Sequence, residues 1–301
     1  MIDVKNITLK TSDAYSLSLN IYDTKKPKAV VQIIHGMAEH QERYEDFATF
    51  LSKNGFIVVT SNIRGHGKDA PTLGHFNDKN GYLDVINDQI MIRKYIEDEF
   101  KDLPIYLFGH SMGTIISRVM LQTESKHYDK VILCGYPNYQ SAASLGIALT
   151  SIIKKFKGPK GKSKLLDNMT TGSFNKKIKN PRTPVDWLSY NEDNVDEYIK
   201  DKYSGYGFTI SAYSDLFHLL KLMHNTSLYK EVNSNLDFLL IAGEDDPCTG
   251  KEKGIKDSID TLNKAGFNKI KRIDYKNMRH EILNEKDNHQ VYNDVLSFIE
   301  K

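Results

Sequence analysis

The apolar residues divide most of the chain into two kinds of segment. Four short, nearly continuous apolar runs have the length of strands buried on both faces; they span residues 29–34, 56–60, 105–108 and 130–135. Between these runs, apolar residues recur at the spacing of an amphipathic helix, most extensively over residues 82–100. Strands that alternate with helices predict a mostly parallel sheet with helices on both faces.

Both ends of the chain extend this pattern. Residues 4–9 and 16–22 alternate apolar and polar positions, which is typical of half-buried antiparallel strands. Near the C-terminus, strands and helices alternate again over residues 236–242, 251–265, 269–275 and 288–299. The sequence therefore predicts an α/β protein with eight strands.

The alternation lapses between residues 136 and 228. This stretch contains an apolar helix candidate at 142–156 and then a loop broken by glycine and proline. Residues 154–182 hold ten Lys or Arg residues and one acidic residue, Asp167. We predict that residues 1–135 and 229–301 form the core, and that residues 136–228 form an inserted helical segment, called the cap below.

Composition excludes several classes of protein. A net charge of +2 on 301 residues gives no reason to expect nucleic-acid binding. Cys134 and Cys248 lie far apart and outside any metal-ligand spacing, so we expect reduced thiols, a cytoplasmic location and no metal or cofactor. The N-terminus lacks a signal-peptide pattern, and no apolar run has the length of a membrane span.

The strand at 105–108 leads directly into Gly109-His110-Ser111-Met112-Gly113, and a helical pattern follows. Strand, G-x-S-x-G and helix in succession predict a nucleophile elbow, a tight turn that exposes a serine above the sheet edge. Ser111 is then the nucleophile, and the Met112 N–H points toward an oxygen bound beside it.

A serine nucleophile needs a base, and the base needs a carboxylate that orients it. In this architecture the carboxylate and then the histidine follow the serine along the chain, each after a strand. Glu244, Asp245 and Asp246 follow one such strand, and His280 follows the last. Asp246 is our choice because it lies farthest around the turn, with Asp245 as the main competitor. The non-catalytic interpretation is that residues 244–246 form an ordinary acidic turn that caps the next helix and that His280 is a surface histidine.

The second donor to a bound oxyanion is expected in the loop after the first central strand. The Met37 N–H is the candidate, and Gly36 lets the backbone approach the substrate closely. His35 and His40 are expected to hold this loop by hydrogen bonds rather than to act as bases.

Together these motifs resemble the monoacylglycerol lipase and lysophospholipase group of α/β-hydrolases, within the S33-type superfamily. The resemblance spans nearly the whole chain and rests on residues 35–44, the Arg-Gly-His-Gly loop at 64–67, the elbow at 109–113, residues 181–189 and residues 278–285. It implies an α/β-hydrolase fold with Ser111, Asp246 and His280 as the catalytic triad. One departure is Asn62, where the group usually has Asp at a structural position.

The resemblance implies a serine hydrolase that cleaves single-chain lipid esters, monoacylglycerol or lysophospholipid, through an acyl-enzyme. We expect the cap to act as a lid whose basic edge makes transient contact with a membrane surface. The alternative without such a function is a solvated lysine-rich loop beside a helix that packs on the core. The expected substrate-binding residues are Gly36, Leu145, Leu149, Tyr206 and Phe208.

The sequence bears on three other functions, of which an aminopeptidase belongs to the same superfamily. An aminopeptidase needs acidic groups for the substrate ammonium, which the basic cap disfavours. A non-catalytic binding protein is expected to have lost triad residues, and none is lost here. A dehalogenase is disfavoured because the nucleophile position holds Ser rather than Asp.

Overall fold

The computed structural model describes residues 4–301, which form a single eight-stranded sheet flanked by helices. The strands are β1 (Val4–Lys10), β2 (Ser16–Tyr22), β3 (Ala29–Ile34), β4 (Phe56–Ser61), β5 (Ile105–His110), β6 (Lys130–Cys134), β7 (Asp237–Gly243) and β8 (Lys269–Tyr275). Their order is β1-β2-β4-β3-β5-β6-β7-β8. Pairing is antiparallel between β1 and β2 and between β2 and β4, and parallel from β4 to β8. The predicted α/β fold is confirmed.

The continuous apolar runs occupy the middle of the sheet because helices cover both of its faces. Every residue of β3, β4, β5 and β6 is buried. β1 is mostly exposed, as expected for an edge strand with one solvated face. The buried centre fixes the strand ends on which the site residues lie.

The helices follow the predicted pattern closely, except for two short helices of the cap that it does not predict. They are α1 (Glu45–Lys53), α2 (Gly81–Glu99), α3 (Met112–Glu124), α4 (Ala143–Lys157), α5 (Lys164–Met169), α6 (Glu192–Lys200), α7 (Ile210–His224), α8 (Lys251–Lys264) and α9 (Asn288–Ile299). The two exceptions are α5 and α6, and α6 lies in a segment that the sequence pattern left irregular. No helix within residues 4–301 combines the length and hydrophobicity needed to cross a bilayer.

Helices α4 to α7 all lie between β6 and β7, within the cap. Helix α4 packs against α7, with Ala143, Gly146 and Thr150 buried. A methyl group at Gly146 would lie 2.7 Å from the Phe217 ring, so glycine permits this close approach. The glycine-broken loop is also fixed, because Ile210 and Ser211 donate backbone hydrogen bonds to Gly161 and Pro159.

Candidate active site

Ser111 occupies a strained turn between β5 and α3. Its φ is +49° and its ψ is −119°, a conformation that L-residues seldom adopt. A side chain at Gly113 would overlap the carbonyl oxygen of Ile34, and one at Gly109 would lie 2.7 Å from the carbonyl oxygen of Gly113. The two glycines of the motif are therefore required by contacts with neighbouring backbone, as the nucleophile elbow predicts.

The structure distinguishes between the two competing aspartates. Asp246 Oδ2 lies 2.9 Å from His280 Nδ1, and both side chains are buried. The other oxygen of Asp246 accepts a hydrogen bond of 2.8 Å from the Cys248 N–H. Asp245 instead accepts a hydrogen bond of 2.9 Å from the Tyr190 hydroxyl in the cap. Of these two aspartates, only Asp246 is placed to orient the His280 ring, with Nδ1 as the donor.

Ser111 and His280 line the same cavity, but the described residues show no hydrogen bond between their side chains. Such bonds are often long before substrate binds and shorten in the complex. Cys248 Sγ lies 4.0 Å from His280 Nε2, and the Trp187 ring packs on the imidazole with 5.0 Å between centroids. The imidazole is therefore fixed by a carboxylate on one side and by an indole ring across it.

Two backbone amides face this cavity without a partner. Within residues 4–301, neither the Met37 N–H nor the Met112 N–H donates a hydrogen bond to another protein group. The Met112 amide also begins helix α3, where the helix dipole favours negative charge. Gly36 packs beside the nucleophile, since a methyl group there would lie 3.0 Å from Ser111 Cβ. These two amides are placed as the sequence predicts for an oxyanion site.

A buried carboxylate holds the loop that carries Met37. Glu39 Oε1 accepts hydrogen bonds from the Gly36 N–H, from the Tyr44 hydroxyl at 2.8 Å and from His110 Nδ1 at 3.1 Å. Burial disfavours the charged form of His110, but the hydrogen bond to Glu39 outweighs this effect and raises the pKa of His110 above its ordinary value. Burial likewise opposes ionisation of Glu39, yet His110 and Arg43 hold its pKa well below the usual range. Glu39 is therefore placed to form a buried ion pair with protonated His110 behind the nucleophile.

The same network continues to the residue after His280. Arg43 Nη2 lies 2.5 Å from Glu281 Oε2, which also accepts a hydrogen bond of 2.7 Å from Asn194 of helix α6. Farther along, the Glu285 carboxylate accepts the backbone N–H groups of Tyr190 and Asn191. The loop that carries His280 and Glu281 is thus hydrogen-bonded both to Arg43, near the loop that carries Met37, and to residues 190–194 of the cap. The sequence pattern gave no signal for this network.

His35 and His40 hold their loops, as expected. His35 Nδ1 donates to the Gly36 carbonyl oxygen at 2.8 Å, and His35 Nε2 accepts the Ile63 N–H at 2.9 Å. Burial lowers the pKa of His35 to about 4, which suits this neutral role. His40 lies 2.6 Å from Glu42 and 2.7 Å from Asp201 of the cap.

The cavity has a volume of about 590 Å³ and lies between the strand ends and the cap. Its residues include Gly36 and Tyr206, two of the predicted substrate-binding positions. Apolar lining residues that the sequence pattern did not identify include Ile115, Val185, Trp187, Leu216, Phe217 and Leu220.

Three of the predicted substrate-binding residues do not line this cavity. Leu145 is 66% exposed, because Ala143 and Gly146 form the inner face of helix α4. Leu149 is half-buried and packs against the core. Phe208 is fully buried between His66 and Phe76, with ring centroids 5.4 and 5.2 Å away. The structure therefore gives no support for these three residues as part of the cavity, because apolar character does not reveal which surface a residue packs against.

Asp246, Cys248 and His280 bring three ligand-type atoms within 4.8 Å of one another. They do not form a good metal site, since Asp246 and His280 already bond to each other. Burial and the charge of Asp246 also raise the pKa of the Cys248 thiol well above its usual value. A thiol that keeps its proton is a poor metal ligand.

Comparison with known proteins agrees with this geometry. The family model described as serine aminopeptidase, S33, matches residues 25–287. Phospholipase YtpA of Bacillus subtilis (strain 168) is 24% identical over 279 residues, which cover 92% of this chain and 96% of that protein. Monoglyceride lipase of Mus musculus is 26% identical over 178 residues, covering 58% of this chain and 52% of that protein.

Solved structures of known hydrolases also share the fold of this chain. The crystal structure of a highly thermostable carboxyl esterase from Bacillus coagulans in complex with glycerol superposes with a TM-score of 0.91. Its identity is 26%, and the alignment covers 100% of this chain and 99% of that one. A soluble variant of monoglyceride lipase from Saccharomyces cerevisiae shares the fold at a TM-score of 0.74 and 15% identity, over 100% of this chain and 94% of that one. The chain belongs to the serine aminopeptidase S33 family and is a lipase- or esterase-type α/β-hydrolase.

Proposed function

We propose that this protein hydrolyses single-chain lipid esters, with Ser111, His280 and Asp246 as its catalytic triad. The observation that carries the proposal is the buried 2.9 Å contact between Asp246 and His280, in a cavity that also contains Ser111 and two unpartnered amides. Serine, an oriented imidazole and preorganised N–H donors are the components of acyl transfer through a covalent intermediate.

In the first half of the reaction, His280 Nε2 takes the proton of the Ser111 hydroxyl as Oγ bonds to the ester carbonyl carbon. The carbonyl oxygen becomes an anion and accepts hydrogen bonds from the Met37 and Met112 amides. The bond to the leaving alcohol oxygen then breaks, and His280 gives that oxygen its proton. An acyl-enzyme on Ser111 remains.

In the second half, water attacks the acyl-enzyme with His280 again as the base. The tetrahedral anion occupies the same two amides, and its collapse releases a fatty acid and restores the Ser111 hydroxyl. Asp246 keeps Nδ1 protonated and stabilises the charged imidazolium in both halves.

The size and lining of the cavity support a single acyl chain as the substrate. A volume of about 590 Å³ lies within the range of small-molecule sites, and the cap side supplies Val185, Leu216, Phe217 and Leu220. The similarity to a protein named monoglyceride lipase and to one named phospholipase points to the same class of ester.

An aminopeptidase role has weaker support. A substrate ammonium needs an unpaired carboxylate, and three carboxylates line the cavity. Glu39 bonds to His110, Glu281 bonds to Arg43, and Asp167 bonds to the Tyr213 hydroxyl. Two of the three are therefore held by basic side chains, and only Asp167 among these lining carboxylates has no basic partner.

We also propose that the cap, residues 136–228, contacts lipid surfaces transiently. Helix α4 exposes Leu145 by 66%, Ile152 by 56% and Phe156 by 85%, and Leu165 on α5 is 54% exposed. Large apolar side chains so exposed are unusual unless they meet another surface. The ten basic residues of segment 154–182 favour an anionic membrane.

The proposal is tested by labelling and by matched variants. A fluorophosphonate probe should label the wild type and fail to label Ser111→Ala, which should keep only a residual rate on p-nitrophenyl esters. Asp246→Asn should lower kcat on the order of 10⁴-fold, because the imidazole loses its orienting acceptor. Asp245→Asn is the matched control and should hydrolyse the ester at nearly the normal rate.

Near-normal hydrolysis by Ser111→Ala would refute the nucleophile assignment. Equal losses in the two aspartate variants would refute the role given to Asp246. Rates with monoacylglycerols, lysophospholipids and aminoacyl amides then decide the class of substrate.

A further inference from the structure

The catalytic cavity contains one basic side chain among its described lining residues, Lys177. It lies in a short 3₁₀ turn of the cap, Phe174–Lys177, and is exposed at the edge of the cavity. Its Nζ donates a hydrogen bond of 3.3 Å to the Pro247 carbonyl oxygen. An ammonium group has three donors, so two remain for a ligand.

No carboxylate in the described residues pairs with Lys177. It forms no salt bridge, although one ring, Phe174, lies 5.9 Å from its Nζ. The carboxylates lining the cavity are Glu39, Asp167 and Glu281, and each is bonded to another protein group. The positive charge of Lys177 is therefore not paired with a carboxylate among the described residues.

Lys177 is also connected through Pro247 and Cys248 to the histidine that serves the leaving group. Its partner Pro247 precedes Cys248, whose Sγ is 4.0 Å from His280 Nε2. In the proposed reaction, His280 Nε2 gives its proton to the alcohol oxygen of the leaving group. That oxygen must therefore lie beside His280, and Cys248 and Pro247 line the cavity between this position and Lys177.

We infer that Lys177 binds the phosphate of the leaving group, so that the preferred substrates are phosphate-bearing single-chain lipids, the lysophospholipids. This inference rests on the proposed function and deepens it. A phosphate oxygen accepts charge-assisted hydrogen bonds from an ammonium group, whereas a monoacylglycerol offers only hydroxyl groups at this position. The basic residues of segment 154–182 add a positive field that attracts the same substrates.

The test compares two substrates with the same acyl chain, 1-acyl-lysophosphatidylglycerol and 1-monoacylglycerol, both below their micellar concentrations. Lys177→Gln should lower kcat/KM for the lysophospholipid about 10- to 100-fold, the loss expected for a hydrogen bond to a charged group. It should change kcat/KM for the monoacylglycerol less than about twofold. Lys177→Arg should restore part of the loss.

Lys176→Gln is the matched control, because Lys176 is exposed in the same turn and does not line the cavity. It removes the same charge and should leave both substrates within about twofold of wild type. Melting temperatures of the two variants establish that both fold.

Three results would overturn the inference. They are a wild type that prefers the monoacylglycerol, equal losses on both substrates in Lys177→Gln, and equal losses in Lys176→Gln. Turnover of monoacylglycerol that is insensitive to Lys177 would leave the proposed function standing. Failure to cleave any ester would overturn the proposed function, and this inference with it.

Discussion

Replacing Glu39 with glutamine should destabilise the protein and loosen the oxyanion loop. Glu39 is 3% exposed, and its Oε1 accepts from the Gly36 amide, the Tyr44 hydroxyl and His110. Its Oε2 lies 3.4 Å from Arg43 Nε. Glutamine keeps the shape of the side chain but removes the charge that balances His110.

The size of the effect follows from what each partner keeps. Breaking a buried ion pair by removing one charge costs about 3–5 kcal/mol. Arg43 retains Glu281 at 2.5 Å, and His110 can release its proton once the carboxylate is gone. Both relaxations reduce the cost, so we expect a loss of about 3 kcal/mol in the free energy of unfolding. A domain with about 5–15 kcal/mol of stability remains folded after such a loss.

The pH dependence of this loss has a definite sign. The folded pKa of His110 is raised, so its contribution is complete below its unfolded pKa of 6.5 and is lost as pH rises through the folded value. The folded pKa of Glu39 is lowered, so its contribution is present above its unfolded value of 4.5. The difference between wild type and Glu39→Gln should therefore be largest between about pH 4.5 and 6.5 and should shrink toward pH 9.

Urea unfolding of wild type and variant at pH 5.5 and 8.5 measures this difference. Glu42→Gln is the control, because the Glu42 side chain is 36% exposed and its loss should cost less than about 1 kcal/mol. Glu39→Gln should also lower kcat, by up to the 10²- to 10³-fold that is typical of one missing oxyanion donor. A cost below 1 kcal/mol for Glu39→Gln, or one that grows with pH, would refute the ion pair.

The remaining predictions concern the cap and its support. Burial raises the pKa of Asp215 to about 7, with nearby backbone N–H groups and Lys154 opposing the shift and Asp84 adding to it. Between about pH 4 and 7, the Asp215 carboxyl ionises in the unfolded chain but keeps its proton in the folded protein, so the wild type loses stability as pH rises. Relative to the wild type, Asp215→Asn should therefore gain up to about 4 kcal/mol in the free energy of unfolding over that range. A pH-independent difference in urea unfolding would contradict this. Phe156→Ser should weaken sedimentation with vesicles containing phosphatidylglycerol about tenfold while p-nitrophenyl ester hydrolysis is unchanged. Leu83→Ser, 47% exposed on α2, should sediment like wild type, and equal losses would refute docking through the cap.

The sheet and the elbow were predictable because their signals are local. The runs at 29–34 and 105–108 are apolar without interruption, and Ser111 lies between a strand and a helix in a five-residue motif. Helix α6 was missed because it is rich in charge and buries few side chains, chiefly Val195 and Tyr198. It packs against the cap segment Asp186–Leu188, a contact that a local pattern does not record.

The contacts between distant residues were beyond reach of the pattern. Arg43 and Glu281 are 238 positions apart, and neither belongs to a motif that names its partner. The sequence favoured Asp246 over Asp245 by its position in the turn, but that position does not determine which carboxylate faces His280. The structure separates them by the direction each side chain takes from adjacent backbone.

The loop that carries His280, Glu281 and Glu285 forms hydrogen bonds with one part of the cap. Residues 188–194 are held by Glu281 and Glu285, so any movement of that stretch would disturb the imidazole itself. Within residues 4–301, the part of the cap from α4 through Lys177 forms no hydrogen bond with this loop. A new substrate specificity is therefore best introduced by changing the part of the cap from α4 through Lys177. Residues 188–194 should be kept, because they help to position His280.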